Sequence, residues 1–231
     1  MAKQSGLGDN LFLGGYDLSG DAGAVNRIHM GTALLDVTGL NKSAQERING
    51  LRDGEISFSA FFNDAALQEH IALKGLLKTD RYCIYCRGTT LGNPAAALLG
   101  KQINYDFARG ADLSLLTTTQ VLGTGGYGLE WGQQATAGKR TDTGATNGTS
   151  IDSPSAAATA FGLAAYLQVF AFTGTDVTVK IQESSDNAVG DPFADVTGGG
   201  FTQITTAPGE QRIETGLTLA VERYLRVVTT T

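Results

Sequence analysis

Three local patterns carry residue types with reactive chemistry. Gly123-Thr-Gly125-Gly126-Tyr-Gly128 has the spacing of a dinucleotide-binding glycine loop. Such a loop needs a helix N-terminus directly after it, where backbone N–H groups meet a pyrophosphate. Leu129-Glu-Trp-Gly-Gln-Gln follows instead, outside any strand-helix-strand unit, so the glycines read as a turn. Cys83-Ile-Tyr-Cys86 has zinc or redox spacing. A structural zinc ion needs four ligands, and only His29 and His70 could supplement the pair. A redox pair would open a helix, whereas this one lies in an expected strand. Residues three apart on a strand face opposite sides, so both cysteines read as structural. Arg223 and Arg226 flank Tyr224, which suits either edge charges on a terminal strand or an acidic or sugar ligand.

Catalytic machinery is sparse. Two histidines leave little room for a Ser-His-Asp triad, and no Gly-x-Ser-x-Gly elbow is present. No local pattern marks a carboxylate pair of the kind glycosidases use. The expectation is therefore a non-enzyme with no catalytic, cofactor-binding or metal-binding residues and no cofactor.

Composition narrows the class. The 231 residues include 42% hydrophobic ones, enough for a packed core, and 31 glycines against 4 prolines. Glycine, threonine and short apolar runs imply many turns joining many short strands. The net charge of −6 argues against wrapping nucleic acid through its phosphates. With 2 cysteines there is no disulfide framework. The N-terminal residues lack the apolar stretch of a signal peptide, so folding in a cytoplasm-like compartment is expected.

Two parts are expected, at residues 1–138 and 161–231, joined by a small-residue linker at 139–160. Residues 1–150 carry 14 acids and 13 bases, while 151–231 carry 9 acids and 4 bases. Residues 1–30 read as a glycine-rich arm without its own core. Residues 32–37 suggest a strand. Residues 41–48 suggest a helical turn, with Ser43 and Glu46 at capping-box spacing. In Gly54–Phe62, Ile56, Phe58 and Ala60 alternate with polar residues, the mark of a half-buried strand. A helix from Asp64 to Leu77 and a strand over 81–87 follow. Residues 88–100 read as a loop, and 102–107, 112–122 and 127–131 as strands. In the second part the apolar run 161–172 and the alternating run 176–183 flank Thr173-Gly-Thr175 and predict a hairpin. Four more short strands follow, at 193–196, 201–205, 211–215 and 223–228. Mainly β with one short α-helix is the expected fold class.

The segments Leu35-Asp-Val-Thr-Gly39, Gly50-Leu-Arg-Asp-Gly-Glu-Ile-Ser-Phe58 and Ala60-Phe-Phe-Asn63 resemble major tail tube proteins of long-tailed, siphovirus-type bacteriophages. The likeness covers residues 10–135. It implies a tail-tube β-sandwich or barrel domain, and a homohexameric ring in which each copy gives strands to an inner β-barrel. It also implies stacking of rings into a tube through which DNA passes without specific binding. Tape measure and tail terminator proteins would be further partners, and the virion tail the location. The runs Val177–Asp186 and Val221–Val227 are similar to a galactose-binding-like jelly roll, which implies an appended β-sandwich. That sheet is expected either to be short by a strand or to be completed by a neighbouring chain. Residues 1–30 and 88–101 are expected to touch adjacent copies. The competing reading is a capsid decoration or host-glycan-binding adhesion protein. A bacterial cell-surface protein or a hydrolytic tail enzyme fits less well.

Overall fold

The computed structural model describes residues 5–75, 78–112, 114–153 and 161–231. The chain is mainly β with one short helix. Its elements are β1 (Asn10–Leu13), β2 (Tyr16–Asp17), β3 (Ala22–Asp36), β4 (Arg47–Phe61), α1 (Glu69–Leu73), β5 (Arg81–Cys86), β6 (Pro94–Gln102), β7 (Asp106–Arg109), β8 (Leu115–Gly123), β9 (Glu130–Gln133), β10 (Thr146–Asn147), β11 (Ile151–Asp152), β12 (Ala164–Val169), β13 (Thr178–Ser184), β14 (Ala194–Gly200), β15 (Gly209–Glu214) and β16 (Tyr224–Thr230). A nine-stranded sheet runs β2-β1-β5-β6-β8-β4-β3, with β7 beside β8 and β9 beside β6.

Two compact units divide the chain: residues 20–83 with 96–131, and residues 1–19 with 84–95 and 132–231. This division is discontinuous and does not follow the expected boundaries at 138 and 160. In the first unit, Ile56, Phe58 and Ala60 are buried as the alternation predicts. They pair across to Val121, Thr119 and Thr117, which are also buried. The helix is shorter than the sequence suggests. Gln68, not Asp64, stands at its N-cap, and Ala72 and Leu73 fill the core. Leu76 and Leu77, expected in its last turn, lie outside the described residues. Residues 41–48 form no helical turn; they close the β3–β4 hairpin and enter β4. Lys42 and Glu46 still pair at 2.9 Å, but across a hairpin tip. Residues 94–102 are strand β6 rather than loop, with Ala96 and Leu98 fully buried. Its three small residues Ala95-Ala-Ala97 mask the period-2 signal, because they carry little contrast in hydrophobicity.

In the second unit, the N-terminal residues are not a coreless arm. Leu11, Leu13 and Leu18 are essentially inaccessible. Gly14 and Gly15 both have positive φ (64° and 82°), as a two-residue primed hairpin turn requires between Leu13 and Tyr16. A side chain at Gly15 would meet the Gly209 backbone N at 2.5 Å. The β-sandwich here has a five-stranded sheet, β10-β16-β13-β14 with β11 also beside β16, over a two-stranded sheet, β12-β15. The expected 161–172/176–183 hairpin does not form. β12 pairs with β15, and β13 pairs with β14 and β16. Both runs are apolar because they face one core from opposite sheets: Leu163, Ala165, Leu167 and Val169 pack on Val179 and Ile181. Residues 201–205 supply only a bridge, Val177 to Ile204. Residues 139–153, expected as linker, are woven into the sandwich. Thr146–Asn147 and Ile151–Asp152 both pair with β16, and Arg140 donates to the Val227 carbonyl at 2.9 Å. The last strand is therefore covered by its own chain. Residues 154–160 lie outside the described set.

Two outcomes follow for folding. Deleting residues 1–20 should abolish cooperative thermal unfolding followed by circular dichroism, because three core leucines go with them. Phe58→Ala should lower the unfolding free energy by about 3–5 kcal/mol in urea titrations, the usual cost of emptying a buried aromatic site.

Candidate assembly interface

The motifs that suggested chemistry sit in plain structural settings. Gly123 ends β8, and the turn after it leads into strand β9 rather than a helix. Gly126 and Gly128 hold positive φ there. Cys83 and Cys86 are buried thiols in β5. Burial pushes the Cys86 thiol up to about 11. Arg223 grips Asp152 with two hydrogen bonds of 2.7 and 2.8 Å and lies 4.9 Å from the Tyr224 ring. Arg226 donates to Gln182 and stacks 4.2 Å from the Phe193 ring. Both cations thus tie the sandwich to itself. Among the described residues, no group of three or more His, Cys, Asp or Glu side chains could hold a metal ion.

The unusual feature is the β3–β4 hairpin. Each strand has 15 residues and the pair is antiparallel, with Leu35 opposite Ile48 and Asp36 opposite Arg47. β4 continues into the sheet through β8 only over Glu55–Phe61. Arg52–Gly54 pack against Gly128 and Leu129, whereas Arg47–Leu51 have, among the described residues, β3 as their strand partner; this end of the hairpin projects by roughly 16 Å at the usual rise per strand residue. Its side chains are exposed on both faces. Leu34, Leu35, Val37, Ile48 and Leu51 are each between 47% and 86% exposed. Leu35, Val37 and Ile48 share one face, since Val37 donates its N–H to Glu46 two register steps from the Leu35–Ile48 pair. A monomer leaves this apolar stripe in water, which marks a contact surface rather than scattered surface leucines.

The sheet that carries the hairpin is also open at its margins. β3 ends the strand order, with no strand beyond it among the described residues. β7 pairs with β8 over Asp106–Arg109, and all four of its residues are exposed. β3 is antiparallel to β4, β4 to β8 and β8 to β7. The four-stranded run β3-β4-β8-β7 therefore presents two open edges that run in opposite directions. One face of this run is the core. The other carries Ser57, Ser59, Thr118 and Gln120, with Asn26 donating to Ser59 Oγ at 2.8 Å. Arg27 pairs with Glu55 at 3.1 Å and leaves that pair without net charge.

Sequence reasoning placed the half-buried strand of this surface and missed the hairpin. Part of the signal was present in Leu35 and Val37 alternating with Asp36 and Thr38, but Leu34 and the glycines Gly31, Gly39 and Gly50 broke the pattern into short pieces.

No protein-family model matches the chain, and no curated protein matches it. Solved structures do. A chain from the virion of a native gene transfer agent particle is 16% identical with a TM-score of 0.45, covering 58% of this chain and all of its own. A chain from the tail of an empty gene transfer agent particle with sixfold symmetry is 19% identical with a TM-score of 0.42, covering 55% and 98%. The Dit protein of phage SPP1, a hub adsorption protein of phages that infect Gram-positive hosts, is 12% identical with a TM-score of 0.35, covering 96% and 98%. At these TM-scores the functional reading has to come from the residues of this chain.

Thiol chemistry offers a check on the cysteine assignment. The raised Cys86 value means the folded state favours the neutral thiol. That contribution is complete below pH 9, the thiol's ordinary value, and is lost as pH rises toward 11. At pH 8, iodoacetamide should leave Cys83 and Cys86 unmodified in folded protein and label both in urea, as read by mass spectrometry.

Proposed function

We propose that this chain is a structural virion protein of a bacteriophage tail, which assembles with copies of itself into stacked hexameric rings around a DNA channel. The observation that carries the reading is the pair of oppositely directed open edges, β3 and β7. Copies related by rotation set β7 of one beside β3 of the next with strands antiparallel. Every seam then has the same hydrogen-bond pattern as the interior of the sheet. A head-to-tail contact of this kind closes into a ring in which β7 is paired along its whole length with part of β3. The hexameric count, and the tape measure and tail terminator partners, come from the sequence resemblance to tail tube proteins.

Two further observations support the reading. The projecting apolar stripe of Leu35, Val37 and Ile48 needs a protein partner, and each such side chain contributes about 1.5–3 kcal/mol when fully buried. The sheet face away from the core carries Ser57, Ser59, Thr118 and Gln120, with Phe61 and Leu116 at one end, and faces the channel in this arrangement. Hydroxyl and amide groups without excess positive charge let phosphates slide past, where a basic lining would hold them.

Purified full-length protein should sediment as oligomers at micromolar concentration and show rings or tubes in negative stain. Leu35→Asp combined with Ile48→Asp should leave a folded monomer with an unchanged circular dichroism spectrum and no rings. A parent protein that remains monomeric at high concentration would sink the proposal.

A further inference from the structure

The edge strand β7 has only four residues and no buried side chain of its own. A strand that short, exposed along its length, is marginal by itself. Yet in the proposed ring it forms half of every seam. What holds it is a buried carboxylate. Glu69, at the start of α1, is fully buried. Its Oε1 accepts from the Thr117 hydroxyl at 2.5 Å, and its Oε2 accepts from the Tyr105 hydroxyl at 3.1 Å. Thr117 lies on β8 directly opposite Phe107 of β7. Tyr105 is the residue immediately before β7. One carboxylate therefore grips both strands of the β7–β8 pair.

The surrounding contacts converge on the same segment. Tyr105 donates its hydroxyl proton to Glu69, and its oxygen also lies 2.9 Å from His70 Nδ1. The His70 ring packs 4.7 Å from Phe62 and 6.2 Å from Phe107. Phe107 meets Tyr105 edge-on at 4.8 Å and Phe62 at 5.7 Å. Asp21 accepts from the Glu69 backbone N–H at 3.0 Å and from Asn63 at 2.8 Å, locking α1 in register. The Tyr105 hydroxyl is held neutral: burial, then the Glu69 charge, raise its ionisation well above the usual phenol range.

We propose that Glu69, acting through Thr117 and Tyr105, is a positioning residue that pre-sets β7 as the pairing edge for a second copy of this chain. The role rests on the ring reading above. Its energetic logic is preorganisation: an edge already fixed in strand geometry loses little freedom when a neighbour pairs with it. Without the clasp, β7 would have to order at the moment of assembly.

The test uses Thr117→Val and Tyr105→Phe, which each remove one hydroxyl with little change of volume, and Thr117→Ser, which restores the hydroxyl. Amide hydrogen exchange on the dilute full-length monomer reads the strand directly. Sedimentation reads the concentration at which rings form. We expect Thr117→Val and Tyr105→Phe to speed exchange at residues 106–109 at least tenfold, with residues 119–122 unchanged, and to raise the assembly concentration by a similar factor. Thr117→Ser should behave as the parent. A variant that merely loosened the whole fold would speed exchange in β4 and β8 together, and that result overturns the proposal. Parent-like exchange in β7, or parent-like assembly in both hydroxyl-less variants, overturns it while leaving the ring reading intact. A parent that forms no rings overturns both.

Discussion

Backbone N–H and C=O groups must find partners, and in this chain the accounting stops at the margins of one sheet. β3 offers fifteen residues of backbone with a strand on one side only among the described residues. β7 offers four more at the other margin. Because the run between them has an even number of antiparallel strands, the two margins point in opposite directions. In the ring proposed above, that parity would let identical copies satisfy each other by simple rotation. An odd number would give parallel seams with a different ladder.

The two units handle their edges differently. In the sandwich, the last strand is flanked on one side by β13 and on the other by the short strands at 146–147 and 151–152. Arg140, bound to Asp142 and to the Val227 carbonyl, pins the segment that leads into them. The unit that carries the hairpin has no comparable cover on β3. Exposed apolar residues occur in both units, Leu7, Phe161, Val189 and Leu217 among them in the sandwich unit, but Leu34, Leu35, Val37, Ile48 and Leu51 are gathered on one half of the hairpin.

Charge is placed with similar economy. Arg27 is paired with Glu55, and Arg223 and Arg226 are engaged by Asp152 and Gln182. The buried Glu69 is satisfied by hydroxyl groups rather than by a cation. Hydroxyl donors fix the carboxylate's orientation and so transmit position to the strands that carry them. This is a geometric function, distinct from the contribution a solvent-exposed ion pair makes to stability.

Period-two alternation was enough, without coordinates, to find the buried strand at Ile56, Phe58 and Ala60, the sandwich strands near 193–196, 211–215 and 223–228, and the strand setting of Cys83 and Cys86. These features depend on neighbours in sequence, so the sequence determined them. The mainly β class with one short helix followed from the same local signals. Which strands pair with which was beyond that reach. The runs at 161–172 and 176–183 looked like hairpin partners because both are apolar and adjacent, yet they face a shared core from two sheets. Residues 1–30 looked like an arm without its own core because Leu11, Leu13 and Leu18 find their burial through contacts that short-range periodicity does not register. The Glu69 clasp joins residues about 50 positions apart, Asp21, Glu69 and Thr117, so no local spacing could announce it. Pairing and burial are settled by competition among all strands for partners and for the core, and only the folded chain holds the result of that competition.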